Sequence, residues 1–232
     1  MSATLIVATV ALAAALLMRP WRMLRDGTLA TPLLAALVVL PWLWALPRLH
    51  AMPLQLQWSG ACMVLLTLGW PLAVPVLLLV AFISSLWAPL PLLETIDLAV
   101  WLGIVPATIA LALGGALRRW VWHHPFVYIL GRGFLGTAVA VFGAGLLAQW
   151  SGQELAHVST GLGLVARWLM AWGDAFMTGM MAAIFVAFRP QWLATWSDMI
   201  YLNKNADAEP AIDKDQNRPD EQIGRASCRE RV

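Results

Sequence analysis

Residues Leu162–Phe188 read LGLVARWLMAWGDAFMTGMMAAIFVAF, and the only charged side chains in these 27 positions are Arg167 and Asp174. A helix rises about 1.5 Å per residue, so roughly 20 apolar residues cross the hydrocarbon core of a bilayer, which is about 30 Å thick. The stretch is therefore predicted to be a membrane-spanning helix. Its unusual feature is a carboxylate near the midpoint.

Comparable apolar runs recur along the chain, of which 60% is apolar or aromatic and only 12% is charged. The clearest others lie at residues 98–117 and 134–149, with Phe126 as an alternative start for the second, and two shorter runs without charge lie at 4–18 and 29–46. This balance leaves too little polar surface for a water-soluble globule. It excludes a nucleic-acid binder and a disulfide-stapled secreted domain. It predicts an all-α, polytopic transmembrane helix bundle in contact with membrane lipid.

Residues 58–90 form an apolar stretch that is too long for one straight pass and is interrupted by Gly69, Pro71 and Pro75. Basic loops are retained in the cytoplasm. The basic clusters fall on one side only if this stretch crosses twice; they are Arg19, Arg22, Arg25, Arg118, Arg119 and Arg189. We therefore predict about seven spans, with the N-terminus outside and the C-terminus in the cytoplasm. Residues 68–75 then form either backbone that lines a cavity or a tight loop between two short helices.

Composition divides the chain into three parts. Residues 1–202 form the predicted membrane domain, which ends in a predicted interfacial helix at 192–202, and residues 203–222 form a polar cytoplasmic tail that is predicted to be disordered. Residues 223–232 resemble a reading frame of a sequencing adapter and are interpreted as read-through. Without them Cys62 is the only cysteine, so no disulfide is expected.

Asp174 is the most informative residue of the sequence, because a carboxylate at the bilayer centre costs about 2.5 to 3.5 kcal/mol on insertion scales. Such a residue needs a partner or a wet cavity. Arg167 lies two helical turns earlier on roughly the same face, and Arg132 could approach from the preceding helix. One interpretation is a structural ion pair of Asp174 with these arginines. The other is a direct role in substrate binding or coupling.

Other residues give weaker indications of chemistry. Small residues recur every fourth position after Gly136 and after Ala175, which favours close helix packing. Thioethers suit late transition metals, although methionine is also an apolar filler; the methionines of the last span are Met170, Met177, Met180 and Met181. The four histidines have no zinc or haem spacing, and the chain has no phosphate-binding loop and no nucleophile or acid–base pair. We predict no enzymatic activity and no bound cofactor.

Two stretches carry a family resemblance. They read HPFVYI at 124–129 and GDAFMTGM at 173–180, and the second is followed by RPQW at 189–192 and by Asp198 and Tyr201-Leu202. Together they resemble a proteobacterial branch of the CbiM-type cobalt and nickel permeases of energy-coupling-factor (ECF) ABC transporters.

The resemblance implies a substrate-capture permease in the bacterial inner membrane that takes up cobalt or nickel with a transmembrane coupling subunit and cytoplasmic ATPase subunits. Metal-binding members use the N-terminal amine and histidines, and this chain has Ser2 and Gln57 at the corresponding positions. No metal ligand is therefore assigned, and the candidate substrate-binding residues are Asp174, Gln57 and Met177. The alternative is a non-transporting membrane scaffold that retains the fold without the metal site.

Overall fold

The computed structural model describes residues 2–25, 27–49, 57–120, 126–153 and 160–196. Within these ranges the regular structure is helical, without strands, which confirms the all-α prediction. The α-helices are α1 (Ser2–Leu17), α2 (Ala30–Leu49), α3 (Ala61–Leu68), α4 (Trp70–Trp87), α5 (Leu92–Leu98), α6 (Val105–Trp120), α7 (Gly136–Trp150) and α8 (Thr160–Phe188). Short 3-10 turns follow α1 and α8 at Pro20–Arg22 and Pro190–Trp192.

Two segments of π-helix extend these elements. Ala99–Ile104 joins α5 to α6, and Val127–Leu135 leads directly into α7. A π-helix widens the helical turn to an i to i+5 hydrogen bond, and such segments are frequently found at functional sites. A methyl group on Gly136 would lie 2.9 Å from the carbonyl oxygen of Gly131, so the widened turn requires glycine at this position.

Five helical segments are long and apolar enough to cross a membrane: Ala30–Leu49, Trp70–Trp87, Leu92–Arg119, Val127–Trp150 and Leu162–Phe188. The apolar part of α1, Ala3–Leu17, is shorter. Large apolar side chains cover the outside of the bundle, as at Leu17 and Phe188, which are 82% and 78% exposed. A soluble monomer rarely exposes so much contiguous apolar surface. The five helices indicate a multi-pass membrane protein, while seven passes and the orientation stay predictions.

The stretch at 58–90 forms α3 and α4, which are separated at Gly69 with φ +74°. Because α3 has eight residues, it is only about 12 Å long and too short to cross the bilayer by itself. Every residue of α3 except Met63 is buried, and the helix packs against α2, α4, α6 and α8. A short central helix therefore lies inside a ring of longer ones.

The bundle has one end near Gly69, where α3 ends, and the other near Gly60, where α3 begins. At one end Gly69 lies beside the side chains of Met23 and Ala194, and the hydroxyl of Thr195 donates to the carbonyl of Leu66 at 3.0 Å. Met23 follows α1, Ala194 and Thr195 follow α8, and Leu66 lies in the last turn of α3. Of residues 68–75, Gly69 alone is non-helical, since Leu68 ends α3 and residues 70–75 form the first turns of α4.

The chain forms two compact units, Met1–Thr195 and Trp196–Val232. The helices above belong to the first. Of the predicted interfacial helix at 192–202, residues 194–196 are helical and those after Trp196 lie outside the described residues, as do the tail at 203–222, the segment at 223–232 and all four histidines.

Candidate functional site

Asp174 is buried in α8, with 1% of its surface exposed. Its Oδ2 accepts a hydrogen bond from the backbone N–H of Ser59 at 3.1 Å, and its Oδ1 accepts one from the N–H of Gly60 at 3.3 Å. Gly60 is the residue that precedes α3, with φ +62°. The first N–H groups of a helix have no partner within the helix, and the positive end of the helix dipole favours an anion there. Asp174 therefore holds the two residues that lead into α3 from a distant part of the chain.

Ser59 joins three further elements at the same point. Its hydroxyl donates to the carbonyl of Leu102, in the π segment Ala99–Ile104, at 2.6 Å and accepts the N–H of Ala61 at 3.2 Å. Its carbonyl accepts the indole N–H of Trp44, in α2, at 3.0 Å. The short non-helical segment before α3 is thus fixed by side chains or backbone from α2, the π segment and α8.

The two arginines that were expected near Asp174 have other surroundings. The Nη2 of Arg167 donates to the carbonyl of Gln153 at 2.7 Å, and its stem lies against Gly145 of α7. Arg132 lies against Gly114 of α6, with its guanidinium 5.9 Å from the centre of the Tyr128 ring. Among the described residues neither arginine forms an ion pair with Asp174. Helical side chains tilt toward the N-terminus of their helix, so Arg167 extends away from Asp174.

A polar cavity of about 590 Å³ lies at the end of the bundle opposite Gly69. The end of α2, α5 with the π segment and the start of α6 that follow it, the second half of α7 and the first half of α8 contribute to its wall. Its charged and hydrogen-bonding side chains are Arg48, Gln57, Ser59, Glu94, Asp97, Trp101, Gln153 and Arg167. The volume lies within the range of about 300 to 1,000 Å³ that is common for small-molecule sites.

The structure brings some of the predicted site residues to this cavity and separates others from it. Gln57 and Met170 line it. Met177 and Met180 are 49% and 51% exposed on the outside of α8. Asp174 is not in the lining, but Ser59, which it holds by hydrogen bonds, is.

The sequence analysis did not identify the charged residues that α2 and α5 bring to the cavity. Glu94 and Asp97 are three positions apart and therefore share one face of α5, and Arg48 lies in the last turn of α2. The signal was present, because charged residues are rare in this chain, but these three lie at the ends of apolar runs, where a solvated loop explains them equally well.

The part of the chain that the structure describes contains no group of three or more His, Cys, Asp and Glu side chains placed to hold a metal ion. Cys62 is buried in α3 as a free thiol. The oxygen-bearing side chains of the cavity and the thioether of Met170 are the described groups that could contact a cation there.

No family model, no curated protein and no solved structure matches this chain. The fold and the site by themselves define its class, an all-helical multi-pass membrane protein with a polar cavity at one end of the bundle.

Proposed function

We propose that this protein is the substrate-capture permease of an ECF-type transporter for a transition-metal cation of the cobalt or nickel class. The observation that carries the proposal is the polar cavity within an otherwise apolar bundle. Charged groups inside a membrane protein are costly and usually mark the path of a substrate or ion. Separate ATPase subunits and a transmembrane coupling subunit belong to the proposal through the family resemblance.

The backbone beside the cavity supports a transport role. Residues 57–60 are not helical, and Gln57 and Ser59 line the cavity. In a bilayer, non-helical backbone is tolerated only where it is buried in protein or faces a water-filled cavity, and transporters build substrate sites from such interrupted helices. The helix α3, which starts at this segment and is too short to cross the bilayer, is an interrupted helix of this kind.

The lining of the cavity supports a metal as part of the substrate. Glu94, Asp97 and Gln57 offer oxygen atoms, and Met170 offers a thioether sulfur. Late transition metals accept soft sulfur ligands, whereas carboxylate and amide oxygens are general cation ligands.

The test is metal binding by the purified full chain in lipid nanodiscs. All samples carry Cys228→Ser, which removes an unrelated thiol, and cobalt, nickel, zinc and copper are offered both as chlorides and in a citrate buffer. We expect selective binding in at least one form. Met170→Leu should weaken it several-fold, and the matched control Met177→Leu should not, because Met177 is on the outer surface.

The scaffold alternative has one observation in its favour, since the carboxylate of Asp174 is occupied by backbone N–H groups. A scaffold does not need to bind the metals, whether they are offered as chlorides or in citrate buffer. A folded sample that binds none of the four metals in either form would contradict the permease proposal and favour the scaffold.

A further inference from the structure

Two guanidinium groups from different helices line the cavity. Arg48 comes from α2 and Arg167 from α8, and within the described residues neither forms an ion pair. The Nη1 of Arg48 and the Nε of Arg167 are buried and make no hydrogen bond. Arg167 donates to the neutral carbonyl of Gln153, which supplies no opposite charge, and no carboxylate of the described residues forms an ion pair with it. A partly buried charge without a partner is costly, so an anion in the cavity would be stabilised by both groups.

Of the two carboxylates that line the cavity, Glu94 lies close enough to Arg48 to interact with it electrostatically. Glu94 and Asp97 lie together on α5, and in the described structure no N–O distance of 4.0 Å or less joins them to Arg48 or Arg167. The wall therefore has a positive part on α2 and α8 and a negative part on α5. A solute that satisfies both parts must itself carry positive and negative groups.

The cavity also has room for a solute that is larger than a hydrated metal ion. A divalent ion with six waters needs roughly 180 Å³ if each water occupies about 30 Å³. The cavity, at about 590 Å³, is about three times as large. A bare or hydrated cation would be attracted by Glu94 and Asp97 and repelled by Arg48 and Arg167, so the wall as a whole does not favour a cation alone.

We infer that the cavity binds a divalent transition metal as its chelate with a small organic carboxylate, with the metal toward Glu94 and Asp97 and free carboxylate oxygens toward Arg48 and Arg167. This inference rests on the proposed transport function and names its substrate class. Guanidinium groups bind carboxylates through paired hydrogen bonds, which gives the arginines a specific role in recognition.

The test compares nickel chloride, nickel citrate and citrate alone in calorimetry on the full chain with Cys228→Ser in nanodiscs. We expect nickel citrate to bind at least about tenfold more tightly than either component, and Arg48→Gln to remove at least about tenfold of that affinity, as loss of a charge-assisted hydrogen bond would. Arg189→Gln is the matched control, because Arg189 is exposed at the other end of α8, and it should change nothing.

Arg167→Gln should have the same effect as Arg48→Gln, but loss of its bond to Gln153 could unfold the chain. Arg48 makes no hydrogen bond in the described structure, so Arg48→Gln removes no hydrogen bond from the folded chain. It therefore keeps the inference testable if Arg167→Gln does not fold. Tighter binding of nickel chloride than of nickel citrate, or equal binding of nickel citrate by Arg48→Gln, would overturn the inference and leave metal transport standing. Absence of binding in every form would instead contradict the transport function itself.

Discussion

Replacing Asp174 by asparagine should release the start of α3 without removing the side chain's volume. An asparagine keeps one oxygen, so one of the two N–H groups, of Ser59 or Gly60, would face an NH₂ donor instead of an acceptor. Losing a hydrogen bond to a charged acceptor costs about 1.5 to 3 kcal/mol, and leaving a buried N–H unpaired costs about 1 to 3 kcal/mol. Relief of the desolvation of the carboxylate offsets part of this loss. We expect a net destabilisation of about 2 to 4 kcal/mol.

Hydrogen exchange measures this change directly, because the two amides can be followed in peptides that cover residues 57–65. A factor of ten corresponds to about 1.4 kcal/mol, so the exchange of Ser59 and Gly60 should be roughly 30- to 1,000-fold faster in the variant. Asp97→Asn is the matched control, since Asp97 makes no hydrogen bond in the described structure and its variant should exchange normally at this segment. Unchanged exchange of both amides in a folded Asp174→Asn sample would refute the role of Asp174 in holding residues 59 and 60.

Three further predictions concern packing. Gly136→Ala should lower the thermal midpoint in detergent by an amount equivalent to about 1 to 3 kcal/mol, because the new methyl group would meet the carbonyl of Gly131 at 2.9 Å. The control Gly173→Ala, whose methyl group would have nothing within 4 Å, should leave the midpoint nearly unchanged. Equal shifts of the midpoint in both variants would contradict the close contact at Gly136. Trp44→Phe should cost about 1 to 3 kcal/mol by thermal unfolding, since it leaves the buried carbonyl of Ser59 without its donor, and an unchanged midpoint would show that this bond is unimportant. Cys62 is 1% exposed, so in the chain with Cys228→Ser it should react with a maleimide only after denaturation, and rapid labelling of the native protein would contradict its burial.

The membrane helices could be predicted from sequence because their signal is local. A run of apolar residues of bilayer length is visible in the chain itself, and the run at 134–149 corresponds to the helix Val127–Trp150. The break at Gly69 was also visible, because glycine and proline interrupt the apolar stretch there. The π segments had no comparable signal, since they depend on how a helix packs against its neighbours.

The partner of Asp174 could not be predicted for a different physical reason. A search of the sequence for a buried carboxylate's partner finds cationic side chains, and it found Arg167 and Arg132. Backbone N–H groups are present at every residue except proline, so a sequence does not indicate which of them will be left unpaired at a helix start. Only the fold brings residues 59 and 60, more than 100 positions earlier, to α8.

The contacts at Ser59 and Gly60 explain how a non-helical segment can exist inside this bundle. The N–H groups of both residues bind Asp174, and that of Ala61 binds the Ser59 hydroxyl. The carbonyl of Ser59 accepts from Trp44, and that of Gly60 accepts from Val64 within the start of α3. Every one of these backbone groups thus has a partner, as a water-free environment requires.

This complete pairing links the structural role of Asp174 to any transport role. Ser59 lines the cavity and is held by Asp174, so movement of this part of the wall must break the hydrogen bonds to the carboxylate. A substitution of Asp174 would therefore alter both the stability of α3 and the shape of the cavity. A loss of substrate binding in Asp174→Asn cannot by itself make Asp174 a ligand, whereas the same loss in Arg48→Gln, with normal exchange at residues 59 and 60, would identify a contact with the substrate.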